Sequence, residues 1–269
     1  MKRVLSHFTL LALFCGHSAA EAPAGKQRTL LSAADTKDRA GRKPGGATAA
    51  FEVRQFKAEN GRALEYSLFV PPKLEPGAKL PLVLCLHGAG GGTDAARVLA
   101  MPERQAKHPC FVMAPSVGER GNRWVDSAFR EGKGRSVLPE LMGALDAALR
   151  ELPVDADRVY ITGQSMGGVG TWGVIATHPE RFAAAVPVCG TWPPVDAVKM
   201  KRVPVWAFHG DQDNAVPVEG SRQMIAALKV AVAVPRYTEF PGVGHGSWEA
   251  AYATDALWDW MFQQQRQAR

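Results

Sequence analysis

From residue 51 onward the chain alternates short apolar runs with stretches in which apolar positions recur every three or four residues. Residues 80–86, Leu-Pro-Leu-Val-Leu-Cys-Leu, are almost continuously apolar, as a strand covered on both faces must be. Residues 110–114, 184–188, 203–209 and 236–240 read the same way, as does the run that starts at Val159. Between them, residues 93–107, 136–151, 168–178, 219–229 and the segment from Trp248 onward read as helices. Residues 51–56 and 64–70 flank Asn60-Gly61, which predicts an antiparallel hairpin at a sheet edge. Strand followed by helix, repeated, predicts an α/β fold: a mostly parallel sheet with an antiparallel amino-terminal edge hairpin and helices on both faces. Residues 51–269 suffice for one domain with one large core.

The first fifty residues follow another pattern. Lys2 and Arg3 precede an apolar stretch over 4–14, and Ser18-Ala19-Ala20 offers small residues for cleavage, so residues 1–20 read as a secretory signal peptide. Residues 21–50 are rich in Ala, Gly, Lys and Arg without periodicity and read as a disordered linker. A secreted or periplasmic location follows, and no later run is long enough to span a bilayer.

The run from Val159 ends in Gly163-Gln164-Ser165-Met166-Gly167 and passes straight into a helical segment. Strand, tight turn and helix around Gly-x-Ser-x-Gly make a nucleophile elbow, which exposes the serine hydroxyl at the carboxyl edge of the sheet. A serine nucleophile needs a base, and the base needs an acid that fixes its tautomer. Two later strands open at the same edge into Gly210-Asp211-Gln212-Asp213 and Gly244-His245-Gly246. His245 is therefore the candidate base and Asp213 the candidate acid; Asp211 is the competitor, less favoured because it lies immediately after its strand with less room to reach the histidine loop. His209, directly before Gly210, reads as a packed, hydrogen-bonded residue. An oxyanion needs two N–H donors. Met166, directly after the serine, supplies one, and the turn His87-Gly88-Ala89-Gly90 supplies the other, through Ala89 or its neighbour Gly90.

Charge adds little to this picture. The net charge is +6, but +2 belongs to residues 1–20 and +3 to 21–50, which leaves about +1 on the domain and no basic face for nucleic acid. Cys85, Cys110 and Cys189 each sit in an apolar run and read as buried thiols, a Cys85–Cys110 disulfide being permitted but not required. No Cys or His spacing resembles a metal site and no glycine-rich phosphate loop is present, so neither metal nor cofactor is expected.

With these stretches in place, the chain resembles the α/β-hydrolase superfamily. Within it, the resemblance is to secreted bacterial esterases of the prolyl-oligopeptidase-like, polyhydroxybutyrate-depolymerase and feruloyl-esterase types. It rests on residues 66–71, 81–88, 160–172, 209–217 and 237–248. It implies a serine carboxylic ester hydrolase with a Ser-Asp-His triad; a serine peptidase and an inactive binding protein on the same fold are the alternatives. Relatives often carry Asp where this chain has Gly246, and a glycine-rich turn where it has Gly190-Thr191-Trp192-Pro193-Pro194. Only residues 190–202 separate two strands between which many members insert a lid, so no cap domain is expected and the site should be open to soluble or polymeric esters. Trp124, Phe129 and Trp192 are candidate walls for an acyl or aromatic group. Oligomeric state is not legible.

Overall fold

The structure is a computed structural model and describes residues 51–126 and 134–266; the expected signal peptide and linker lie outside them. Eight strands form one sheet in the order β1-β2-β4-β3-β5-β6-β7-β8. They are β1 (Glu52–Lys57), β2 (Ala63–Phe69), β3 (Leu80–Leu86), β4 (Phe111–Pro115), β5 (Val154–Gln164), β6 (Ala184–Val188), β7 (Trp206–Gly210) and β8 (Arg236–Phe240). The β1–β2 hairpin turns at Gly61 with φ 78° and lies at the edge, and β2 also runs antiparallel to β4. All other pairs are parallel. This is the mostly parallel sheet with an antiparallel edge hairpin that the strand pattern predicts, and the α/β-hydrolase fold that the resemblance implies.

Successive side chains of a strand point to opposite faces, and each face here has its own core. Leu82, Leu84 and Leu86 of β3 join Ile161 on one side, packed with Leu141, Leu145, Trp172, Ile175 and Leu228 from α3 (Leu138–Glu151), α4 (Met166–Thr177) and α5 (Glu219–Val230). Val83 and Cys85 face the other way, toward Leu99, Tyr252, Leu257 and Trp258 from α1 (Asp94–Leu99), α6 (Trp248–Ala253) and α7 (Asp255–Phe262). Burial on both sides is why β3 reads as an unbroken apolar run.

Two expected helices are each divided. The segment 93–107 becomes α1 and α2 (Pro102–Lys107), because Pro102 has no N–H to continue a helix and starts a new one instead. The terminal segment breaks at Thr254, whose extended ψ of 104° separates α6 from α7. The strand expected over 203–209 starts only at Trp206; Pro204 cannot donate to the ladder, although its carbonyl accepts from the Ala185 N–H at 2.9 Å.

Helix α4 lies directly on the sheet, and glycine allows it. A Cβ at Gly167 would overlap the Leu86 carbonyl of β3, and one at Gly163 the Gly167 carbonyl. Gly90, in the turn after β3, has open space around it. Thermal denaturation should therefore separate two alanine substitutions. Gly167→Ala should destabilise by about 1–3 kcal/mol or more, as overpacking does, whereas Gly90→Ala should stay within roughly 0.5 kcal/mol of the native protein. Equal melting temperatures for the two variants would show that α4 does not need its close approach to β3.

Candidate active site

Ser165 stands between β5 and α4, capping the helix with φ 55° and ψ −119°, a backbone region that non-glycine residues seldom occupy. The turn is held from behind. The Ser165 N–H is shared between the Val188 carbonyl at 3.0 Å and the Cys189 sulfur at 3.2 Å. Gly88 abuts the Ser165 side chain, a Cβ there falling 3.5 Å from Ser165 Cβ, so the turn after β3 lines the rim beside the hydroxyl.

His245 comes from the loop after β8 and Asp213 from the loop after β7. His245 Nε2 lies 2.9 Å from Ser165 Oγ, and Nδ1 lies 2.8 Å from Asp213 Oδ2. A carboxylate at Nδ1 accepts that nitrogen's proton, which leaves Nε2 to accept from the serine hydroxyl. Asp213 Oδ1 accepts the N–H groups of Ala215 and Val216, each at 2.9 Å. Burial alone would raise the Asp213 pKa, but the bonds from Val216, His245 and Ala215 together outweigh it and hold the carboxyl below its usual 3.8. Asp211, the competing carboxylate, is turned elsewhere: it accepts the Gly242 N–H at 2.7 Å and so pins the loop that carries His245.

His209 is the packed histidine its position predicts. It is wholly buried, and burial lowers its pKa, so it is neutral. Nε2–H donates to the Val216 carbonyl at 2.9 Å and lies 3.2 Å from Asp213 Oδ2, while the Ser221 hydroxyl sits 2.7 Å from Nδ1. Asp213 is thus fixed by two backbone amides and flanked by two imidazoles, only one of which reaches Ser165.

The turn His87-Gly88-Ala89-Gly90 is equally constrained. His87 Nδ1–H donates to the Gly88 carbonyl at 2.6 Å, and Nε2 accepts the Val117 N–H at 3.2 Å. Burial holds His87 below its usual pKa, so it keeps this neutral tautomer. The Gly91 N–H closes the turn on the Gly88 carbonyl at 3.0 Å, which leaves Ala89 at the exposed tip.

Both tryptophans expected as walls are placed otherwise. Trp124 is wholly buried behind the His87 turn, where its indole N–H donates to the His87 carbonyl at 2.9 Å. Trp192 is 6% exposed and donates to Asp196 at 2.9 Å. Each indole fills a notch that glycine leaves on α4: a Cβ at Gly170 would stand 2.7 Å from Trp124, and one at Gly173 2.7 Å from Trp192. Phe129 lies outside the described residues. Among the described residues, an aromatic ring that pattern reading missed stands against His245: Trp248, half-buried and edge-on with ring centroids 5.3 Å apart. Its place three residues after His245, at the start of a helix, is the signal that could have found it. Cys189 was missed too: it is the first residue past β6, but nothing in its apolar run reports the left-handed turn that brings it under the elbow. The three thiols of the described residues are all free and buried, so the permitted Cys85–Cys110 bridge is not formed, and burial pushes the Cys189 thiol up to about 12.

A family model, that of the dienelactone hydrolase family, matches residues 68–257, the greater part of the chain. The chain belongs to the dienelactone hydrolase family. Among relatives, it is 28% identical over 167 residues to a bifunctional acetylxylan esterase/xylanase of Neocallimastix patriciarum, covering 61% of this chain and 23% of that protein. Among solved structures, it resembles a thermostable esterase with TM-score 0.73 and 37% identity, over 80% of this chain and 63% of that one. A feruloyl esterase module from Clostridium thermocellum shares the fold with TM-score 0.63 and 16% identity, over 83% of this chain and 92% of that one. The chain spans about a quarter of the length of the first curated relatives it matches.

The lowered Asp213 pKa gives the family member a stability signature. A carboxylate whose folded pKa is depressed stabilises the fold above its unfolded pKa, and that contribution is lost as pH falls through the folded value. The Tm difference between the native protein and Asp213→Asn should be largest near neutrality and shrink as pH drops below 3.8. A difference that stays constant across that range would show that Asp213 is not held ionised by its three donors.

Proposed function

We propose that this protein is a serine carboxylic ester hydrolase that works through an acyl-enzyme, with Ser165 as nucleophile, His245 as base and Asp213 as acid. The observation that carries the reading is the continuous relay from Asp213 through His245 to Ser165, with separations of 2.8 and 2.9 Å, ending on a serine held at positive φ. Membership of the dienelactone hydrolase family and the likeness to a thermostable esterase support hydrolysis of an ester.

In this reading His245 Nε2 takes the proton of Ser165 Oγ as that oxygen attacks the ester carbonyl. The carbonyl oxygen becomes an oxyanion opposite the N–H groups of Met166 and Ala89, each such donor being worth about 100- to 1000-fold in rate. Met166 begins α4, so the positive end of that helix dipole also faces the new charge. The imidazolium then protonates the departing alkoxide, which leaves Ser165 acylated. Water, deprotonated by the same nitrogen, attacks the acyl carbonyl and releases the acid. Asp213 stays ionised throughout, consistent with the donors that hold its pKa down.

Substrate access follows from what covers the site. The connection between β6 and β7 contains one short 3-10 helix, Pro194–Met200, tied down through Trp192 against α4, rather than a cap. Soluble or polymeric esters with short acyl or aromatic groups suit such a site, with Trp248 as the aromatic surface beside His245. We place the protein outside the cytoplasm, on the strength of its first twenty residues; no helix of the described residues is long and apolar enough to cross a membrane.

Ser165→Ala should abolish hydrolysis of a short soluble ester while leaving thermal unfolding nearly unchanged, and a serine-directed organophosphate should add a single mass increment on the peptide that contains Ser165. Asp213→Asn should lower kcat by up to about 10,000-fold, and Asp211→Asn by far less. Inversion of that order would assign the acid to Asp211, and full activity in Ser165→Ala would remove the proposal altogether.

Trp124 makes a subtler claim, because its indole N–H fixes the carbonyl of His87 and with it the turn that presents Ala89. Trp124→Phe keeps most of the ring volume and deletes that bond. Steady-state kinetics should show kcat reduced with KM little changed, the mark of an interaction realised only in the transition state. A rise in KM alone would make Trp124 a wall of the binding surface after all.

A further inference from the structure

Beneath Ser165 lies a sulfur for which the hydrolytic steps have no use. Cys189 immediately follows β6 with φ 40°, a left-handed conformation that non-glycine residues rarely adopt, and this turns its side chain under the elbow. Cys189 Sγ, a carboxylate oxygen of Asp213 and a ring nitrogen of His245 all lie within 4.8 Å of one another. A fourth polar group points to a ligand here. Ser247 is wholly buried and its hydroxyl makes no hydrogen bond of ordinary geometry, yet it lies near enough to Cys189 to act on the thiol.

We propose that Cys189 Sγ, Asp213 and His245 Nδ1 form an inhibitory site for a thiophilic divalent cation of the zinc or cadmium kind, with Ser247 Oγ at its edge. Sulfur, imidazole nitrogen and carboxylate oxygen are the donor set such ions prefer. The charges balance as well: one thiolate and one carboxylate neutralise a doubly charged ion, and the imidazole stays neutral. Bonds of about 2.3 Å to sulfur and 2.0 Å to nitrogen place tetrahedral ligand atoms roughly 3.5 Å apart. Nδ1 and Oδ2 stand 2.8 Å apart, and one ligand atom from each of the three residues lies within 4.8 Å of the other two, so side-chain rotations bring the donors to that spacing. The His245 side chain, 29% exposed, gives the ion its way in.

The exchange is balanced without a further reactant. The ion bonds to Nδ1 in place of the proton now shared with Asp213, and the imidazole takes a proton on Nε2 instead. The thiol proton leaves to solvent as the metal–sulfur bond forms. Nε2, now an N–H, faces Ser165 Oγ as a donor and can no longer take its proton. This consequence for hydrolysis rests on the proposed role of His245, but the binding itself does not.

Cadmium titration of the full chain, followed by calorimetry and by the ultraviolet sulfur-to-cadmium charge-transfer band, tests the site without reference to activity. The native protein and Ser165→Ala should each take up one ion with the band. Cys189→Ala should lose the band and bind more weakly by more than the roughly 10- to 100-fold that loss of an outer-shell partner costs. His245→Gln keeps the sulfur in place and should weaken binding to a similar degree, which covers the case in which Cys189→Ala does not fold. In parallel, hydrolysis of a short ester by the native protein should fall in step with occupancy and return on chelation. A band that persists in Cys189→Ala, affinity unchanged in His245→Gln, or no uptake by the native protein would overturn the site. Uptake with the band in a protein that hydrolyses no ester would instead overturn the esterase reading and leave the cation site standing.

Discussion

The rest of the active region depends on the crossing of β5 and α4 at Ser165. Gly163 and Gly167 let strand and helix touch, and the contact between Gly167 and the Leu86 carbonyl brings β3 into the same junction. Ser165 is left at φ 55°, a conformation that costs of order 1–3 kcal/mol and persists only where its surroundings over-determine it. Those surroundings are visible. Its N–H is anchored to Val188 and Cys189 at the end of β6, and its side chain is flanked by Gly88 from the turn after β3. In a parallel sheet the loops after β3, β6, β7 and β8 all leave by one edge, so a serine raised at that edge meets them all.

The large aromatic residues take their places from the same crossing. Helix α4 is notched further along its length as well, at Gly170 and Gly173, and two indoles fill the notches. Each then uses its N–H on a neighbouring loop: Trp124 on the His87 carbonyl, Trp192 on Asp196. A buried indole N–H needs a partner, and loop backbone or an adjacent carboxylate supplies one here. The two tryptophans therefore transmit the position of α4 to the turn after β3 and to the connection after β6. Both indoles are spent on packing against α4 and on these two hydrogen bonds.

This explains which features were legible in the chain. Strands buried on both faces announce themselves as apolar runs, and β3, β6 and β8 have the bounds their runs predict. The elbow and its two partner loops were legible because Ser165, Asp213 and His245 each stand shortly after an apolar run that forms a strand. What the pattern could not carry was packing across the chain. Nothing local to Trp124 or Trp192 reports that glycines far along the sequence leave room for their rings, so solvent-facing and buried indoles look alike. Cys189 was hidden for a related reason: in a run such as Val-Pro-Val-Cys a thiol reads as one more apolar residue, and only the left-handed turn after Val188 shows that it faces the elbow. The divided helices were a smaller omission, since Pro102 marked one break in plain view.

The choice between Asp211 and Asp213 shows how a two-residue difference in sequence becomes a difference in chemistry. Asp211 directly follows β7, and its carboxylate is spent on the Gly242 N–H at the start of the histidine loop. Asp213, one turn further on, is wholly buried, and a buried carboxylate is tolerable only when hydrogen-bonded. Two amides of its own loop meet Oδ1, which leaves Oδ2 between His209 and His245. His209 is bound at both ring nitrogens within the core, to Val216 and Ser221, and so has no nitrogen to spare. His245 meets Asp213 with one nitrogen and keeps the other for Ser165. One residue therefore anchors the loop that bears the histidine and the other sets that histidine's tautomer, so a carboxylate at 211 could serve His245 in the proposed mechanism only if the loop gave up the bond that holds it in place.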